Sequence, residues 1–323
     1  MDEQELNGLD GNNLLAFLAA LGTLKCLSNS IPGVRMSWRL NDGWIPVLHL
    51  NKKETKEALL QHLSSSLSDK TVCDAQFSLG LDPPPNNLDL TISDFRSQLS
   101  RAADAASLTS RVQADFLVGL GSDAVGPEDK KLDATGATFF RTMSGQGHQH
   151  FLLFMRELVD RTKESHLERA LFRRWDYADK QKSMRWDPVD DRRYAYRAND
   201  PGNSNRDPIL TMWGANRLAI EALSMFPVVA SGGRPRTVGF SRINGSLTIS
   251  WPIWVRSLGL DVVRALLNLK EFQLEDPPIK RLREMGIGEI FRSRRIQNGR
   301  FRNFNPAYAV MGNDGQSGDG FRE

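Results

Sequence analysis

Apolar residues recur at helical spacing close to the start of the chain. Five of them share one face of a predicted helix: Leu14, Phe17, Leu18, Leu21 and Leu24. Asn12 or Asn13 can cap this helix, because an asparagine side chain at that position accepts a hydrogen bond from the first turn. The pattern predicts an opening helix with one buried stripe.

Alternating apolar and polar residues predict three β-hairpins. They cover residues 36–50, 237–254 and 291–304, with turns at Asp42-Gly43, Asn244-Gly245 and Asn298-Gly299. Asn-Gly favours a two-residue turn, because both of its residues tolerate a positive φ. If Asn298 and Gly299 form the last loop, Arg295 faces Arg302. Like charges that lie opposite each other destabilise a sheet, so this register requires a compensating anion.

Further helices are expected between and after these hairpins. Their predicted positions are about 53–67, from a Ser93 cap onward, 111–120, one long helix over 149–173, a helix from Thr211 that Pro227 ends, and 260–269. The run TFFRTM, residues 138–143, predicts a short strand. These elements indicate an α+β fold of antiparallel hairpins and sheets packed by helices. A helix-plus-hairpin unit at each end leaves open a construction from two related halves.

Charge divides the chain more clearly than hydropathy does. Residues 1–150 contain 13 Lys and Arg against 18 Asp and Glu, whereas residues 151–323 contain 29 against 21. We therefore predict an acidic region over 1–150, a basic arginine-rich region over 151–310 and a flexible tail over 311–323. Such asymmetry is typical of a chain with one half that faces a polyanion.

Composition also indicates the cellular compartment. The chain has two cysteines, Cys26 and Cys73, and no CxxC pair, so it predicts neither a disulfide framework nor a metal knuckle, although these two thiols could pair. The longest apolar run, Leu14 to Leu24, is shorter than the roughly 20 residues that span a bilayer. We expect a cytoplasmic protein that has no membrane partner.

Sequence motifs for catalysis are not found. The chain has no Gly-Lys dipeptide and hence no P-loop, and it lacks HExxH and GxSxG. A metal-dependent nuclease could use Asp187, Asp190 and Asp191, but these carboxylates alternate with arginines that explain them as ion pairs. We therefore expect no enzyme activity, no cofactor and no metal.

Arginines interleaved with aromatic residues form the strongest functional signal. The last hairpin, FRSRRIQNGRFRNF, contributes Arg292, Arg294, Arg295, Arg300 and Arg302, and the charged stretch 173–208 contributes Arg192, Arg193 and Arg197. Residues 280–302 hold eight basic residues against only Glu284 and Glu289. Guanidinium groups bind phosphate through a planar fork, and aromatic rings stack on bases. These arginines are the predicted nucleic-acid-binding residues, and internal ion pairing is the alternative interpretation.

Several stretches resemble a known family. They are LDGNNLLAFLAALGTLKCL with the hairpin RMSWRLNDGWIPVLHL, and RRYAYRANDP, TMWGANRLAIEALSMFPVV and FRSRRIQNGRFRNFNPA. Together they resemble the type I-G (formerly I-U) CRISPR-associated proteins of the helicase-nuclease-extension family, which are similar to large subunits of effector complexes. The resemblance covers residues 9–306 and carries no active-site motif.

The resemblance implies a role in antiviral defence. The chain would be a non-catalytic subunit of a type I CRISPR interference complex that contacts guide RNA (crRNA), target DNA or the helicase-nuclease. Its partners would be nucleic acid and other CRISPR-associated subunits. A protein-protein adaptor of the same complex is the alternative, and a metal-dependent nuclease is a third.

Overall fold

The computed structural model describes residues 2–69, 73, 76–107, 111–126, 134–145, 148–189, 209–298 and 301–311. Within them the fold is α+β, with helices packed on small antiparallel sheets, as the hydrophobic pattern predicts. The helices are α1 (Leu14–Ser30), α2 (Lys56–Ser68), α3 (Ile92–Asp104), α4 (Val112–Leu120), α5 (Phe151–Arg161), α6 (Glu164–Phe172), α7 (Trp213–Ala222), α8 (Leu260–Leu267) and α9 (Ile279–Glu284). Two 3₁₀ turns cover Leu223–Met225 and Lys270–Gln273.

Two larger sheets hold most of the strands. The first has the order β1-β3-β2, with β1 (Asp2–Glu5), β2 (Arg35–Leu40) and β3 (Trp44–Leu50). The second has the order β10-β11-β12-β13, with β10 (Phe240–Ile243), β11 (Ser246–Trp254), β12 (Ile287–Asn298) and β13 (Phe301–Phe304), and β14 (Tyr308–Ala309) pairs with β12. Three two-stranded ribbons complete the set: β4 (Gly121–Ser122) with β5 (Gly136–Ala137), β6 (Asp179–Lys180) with β7 (Leu210–Thr211), and β8 (Val228–Ser231) with β9 (Arg234–Thr237).

Helix α1 lies in the centre of the fold. Its N-cap Asn13 accepts hydrogen bonds from the Leu15 and Ala16 N–H groups, which confirms the cap that the sequence predicts. The expected single stripe is too narrow, however, because every residue from Leu14 to Leu27 is buried. Sheets and helices surround α1 on all sides, so no polar face is needed.

The core joins the two large sheets. The Phe17 ring of α1 lies 5.9 Å from Trp38 of the first sheet and 5.8 Å from Trp251 of the second. The indole N–H of Trp254 donates to the Met36 carbonyl at 2.8 Å. Trp38, Trp251 and Trp254 are buried, and Trp44 and Trp213 are half-buried against the core.

A buried ion cluster also links α1 with α7. Lys25 and Arg217 contact opposite oxygens of Glu221 at 2.9 and 2.8 Å. Burial alone would raise the pKa of Glu221, but the two cations outweigh it and lower this pKa to about 2. Lys25 of the acidic region and Glu221 of the basic region thus form an ion pair in the interior.

Three local predictions are wrong. Thr91, not Ser93, caps α3, since its hydroxyl accepts the Asp94 N–H at 3.0 Å. The long helix over 149–173 is two helices, because the His166 ring accepts the Lys163 N–H and begins a new one. Residues 138–143 are a turn and irregular backbone in place of a strand, and the strand there is the two-residue β5.

Candidate nucleic-acid interface

The last hairpin forms with a different register from the one expected. Asn298 pairs with Phe301 and Gln297 with Arg302, so Arg295 lies opposite Phe304. The predicted Arg295–Arg302 pair is therefore wrong. The partner strand is displaced by two residues, which keeps both arginines on one face but on a diagonal. The longer diagonal distance reduces the repulsion that the expected register would cause.

The start of β11 and the end of β12 lie at the same end of the second sheet. Thr248, close to the start of β11, pairs with Arg294, close to the end of β12. Arg242 of β10 lies opposite Leu247, the residue that precedes Thr248 on β11. Three strands thus bring four arginines to one end, which we call the arginine end: Arg242, Arg294, Arg295 and Arg302. Sequence reasoning missed Arg242, although the Asn244-Gly245 turn was a signal that could have located it.

Arg292 belongs to the interior. It is 3% exposed, and its guanidinium donates to the carbonyls of Phe272, Leu274 and Glu275. Burial lowers its pKa, while Tyr308, Asp276 and Glu275 act in the opposite direction. Its donors fasten the segment after the second 3₁₀ turn onto the sheet, so we leave it out of the interface.

Arg294 has the opposite environment. Its side chain is exposed, and it forms no hydrogen bond or ion pair with any residue in the described ranges. Its main-chain carbonyl accepts the Asn305 N–H at 3.0 Å, which holds the strand in place. A fixed backbone with a solvent-facing guanidinium is suited to bind an external anion.

Arg295 and Arg302 occupy the face that carries Phe304. The Arg295 guanidinium lies 6.0 Å from the centroid of the Phe139 ring and donates to the Arg141 carbonyl at 2.8 Å. Arg302 donates to the Gln297 side chain at 3.4 Å. The Arg295 guanidinium thus lies near an aromatic ring, the kind of neighbour that base stacking uses.

The two acids that the sequence offers as local partners do not pair with these arginines. Glu289 is 6% exposed, and one of its oxygens accepts N–H bonds from Ile290, Val310 and Met311. Glu284 is exposed at the end of α9. The carboxylate of Glu289 therefore stabilises the backbone around β14 and is not available to the arginine end.

The remaining predicted contacts lie outside the described residues. They are Arg192, Arg193 and Arg197 of the charged stretch and Arg300 of the last turn. Their role stays a prediction.

Asp187, which the sequence offered as a catalytic carboxylate, has structural partners. Asp187 accepts hydrogen bonds from Asn13, the Tyr177 hydroxyl and the Val189 N–H, while Asp190 and Asp191 lie outside the described residues. Within the part of the chain that the structure describes, no three histidines, cysteines or carboxylates are grouped to hold a metal ion. Cys26 and Cys73 are buried and free, and burial raises the pKa of both thiols.

No protein-family model matches the chain, and no curated protein matches it. Among the described residues, no helix combines the length and the apolar character that a membrane crossing requires.

Proposed function

We propose that this chain is a non-catalytic nucleic-acid-binding protein whose contact surface includes the arginine end. The observation that supports this most is the convergence of four arginines from three strands on one end of a sheet. Glu289, one of the two acids close in sequence, is bonded to the main chain instead. Phosphate is the anion that guanidinium groups bind best, and a nucleic acid supplies it in a row.

We further propose that the chain acts as a subunit of a type I CRISPR interference complex. The resemblance of residues 9–306 to the type I-G helicase-nuclease-extension family supports this. In such a complex the arginine end would contact guide RNA or target DNA, and other surfaces would meet CRISPR-associated subunits, including the helicase-nuclease. The expected setting is the cytoplasm.

Binding to labelled RNA and DNA at two salt concentrations tests the first proposal. The variant Arg294→Ala/Arg302→Ala should bind roughly tenfold more weakly than the natural protein. Its slope of log affinity against log salt should fall by about one for each phosphate contact that is lost. Fluorescence anisotropy measures both quantities.

The matched control removes two arginines that already have acidic partners. Arg96 pairs with Asp123 and Arg173 with Glu168, and their side chains are 61% and 66% exposed. The control Arg96→Ala/Arg173→Ala removes the same charge, so an equal loss of affinity would reflect net charge alone. Natural protein that binds no nucleic acid at low salt would contradict the proposal.

Purification of the tagged chain from cells that carry a type I-G system tests the second proposal. Sequencing of bound RNA should recover repeat-derived guides, and mass spectrometry should recover other subunits of the complex. Subunits that co-purify after nuclease treatment without any RNA would favour the adaptor role. Recovery of neither would contradict membership of the complex.

A further inference from the structure

The ribbon β8–β9 has one buried and one exposed face. Val228 pairs with Thr237, and Val229 pairs with Arg236, so alternate pairs point in opposite directions. On one face Val228, Pro235 and Thr237 are buried, and Ala230 at its edge is exposed. The other face carries Val229, Ser231, Arg234 and Arg236, which are all exposed.

The buried face fixes the ribbon beside the arginine end. Thr237 accepts the Phe139 N–H at 2.9 Å through its hydroxyl, and the Phe139 ring is the one that Arg295 contacts. A side chain on Gly136 would lie 3.0 Å from Pro235, which shows how closely the ribbon packs on β5. The segment around Phe139 therefore connects the ribbon rigidly with the second sheet.

The exposed face has two guanidinium groups, those of Arg234 and Arg236. Neither Arg234 nor Arg236 forms a hydrogen bond or an ion pair with any residue that the structure describes. The tip is Gly232-Gly233, with φ of 60° and 72°, and nothing lies within 4 Å of a side chain built at either position. Only glycine adopts both values readily, so the tip is narrow and its backbone is open to a ligand.

We infer that the β8–β9 ribbon is a second nucleic-acid contact, which binds the sugar-phosphate backbone of a double helix. This inference rests on the proposed function. A two-stranded ribbon is narrow enough to enter the major groove, which is about 12 Å wide. Arg234 and Arg236 lie two residues apart on one strand, so both face the same phosphate row, and the glycine tip permits close approach.

Affinity for matched duplex and single-stranded probes tests this inference. Arg234→Ala/Arg236→Ala should weaken duplex binding roughly tenfold and reduce the salt slope by about two, with a smaller effect on a single strand of the same sequence. The control Arg96→Ala/Arg173→Ala should change neither. Both arginine pairs are exposed, so the variants keep the fold, which circular dichroism verifies.

Photo-crosslinking gives a readout of proximity that does not depend on affinity. A photoreactive residue at Val229, 48% exposed on the arginine face, should crosslink to duplex DNA. The matched control is the same residue at Val262, 53% exposed on α8, which should not.

The outcomes separate the two ideas. The ribbon variant could bind duplex as well as the natural protein does, with no crosslink at Val229. That result would overturn the ribbon as a nucleic-acid contact and leave the proposal for the arginine end intact. Equal losses for duplex and single strand overturn the preference for a double helix. Natural protein that binds no probe overturns both proposals.

Discussion

Glu221 lies between two cations in the contact between α1 and α7. Its replacement by glutamine would leave Lys25 and Arg217 buried without a carboxylate. The removal of one partner from a buried ion pair costs about 3–5 kcal/mol, because the remaining charge has lost its compensation. We therefore expect Glu221→Gln to lower the free energy of unfolding by that amount at pH 7, as measured by urea denaturation.

The same carboxylate should contribute to the pH dependence of stability. Its pKa is about 2 in the folded protein, against an ordinary value of 4.5. A lowered pKa stabilises the fold above pH 4.5, and this stabilisation, about 3 kcal/mol, is lost as the pH falls toward 2. Denaturation between pH 5 and 2 should therefore show a shallower decline for Glu221→Gln than for the natural protein. Parallel curves would contradict the assignment.

Lys25→Met provides the comparison at the same place. Arg217 and Glu221 would remain as a one-to-one pair, and the methionine would fill the apolar space of the lysine stem. We expect a smaller loss of stability than for Glu221→Gln. The exposed carboxylate Glu284 serves as the surface control, and Glu284→Gln should change stability by less than about 0.5 kcal/mol.

At the level of elements, the crossing of α1 and α7 depends on Gly22. A Cβ at this position would lie 1.9 Å from the Leu218 carbonyl oxygen, which belongs to the backbone of α7 and cannot rotate away. Alanine favours a helix over glycine by about 1 kcal/mol, but separating the helices should cost more. We expect Gly22→Ala to destabilise the protein by about 1–3 kcal/mol in thermal and urea denaturation.

Gly259 is the control position for the substitution at Gly22. It caps α8, and nothing lies within 4 Å of a side chain built there. Gly259→Ala should therefore change the free energy of unfolding by less than about 1 kcal/mol. A loss at Gly22→Ala no larger than that at Gly259→Ala would contradict the argument from the close crossing.

Elements with strong local signals could be predicted from the sequence. Asn13 caps α1, and Asn244-Gly245 forms its turn with positive φ at both residues, because these properties depend only on neighbouring residues. The register of the last hairpin was predicted wrongly, because the Asn298-Gly299 signal alone placed Arg295 opposite Arg302, whereas the strands pair Arg295 with Phe304. The ribbon β8–β9 was missed, although its Gly232-Gly233 turn is a hairpin signal.

At the candidate site, the burial of individual side chains could not be predicted from the sequence. Arg292 and Arg294 are two residues apart on one strand and indistinguishable by composition, yet one is buried and the other exposed. The difference arises from the carbonyls of residues 272–275, which fold over Arg292 from elsewhere in the chain. Charge counting could therefore locate the basic hairpin but could not separate its structural arginine from its surface arginines.

At the scale of the whole molecule, the acidic region 1–150 and the basic region 151–310 share their interior. Helix α1 is buried from Leu14 to Leu27, and its neighbours include α7 and the second sheet, which come from the other region. Residues 1–150 produced alone would expose this apolar helix and leave Lys25 without Glu221. We expect this fragment to aggregate or stay unfolded, and residues 151–323 to behave likewise.

Co-expression of the two fragments should restore a folded complex, because the contacts between them are core contacts and do not need a continuous chain. Size-exclusion chromatography should show one species of the full mass, and its thermal melt should be a single transition. A fragment 1–150 that melts cooperatively on its own would show that the charge boundary is also a folding boundary. If neither fragment folds alone, the arginine end forms only when both regions are present, because the second sheet packs on α1. Binding assays of the arginine end therefore require the entire chain.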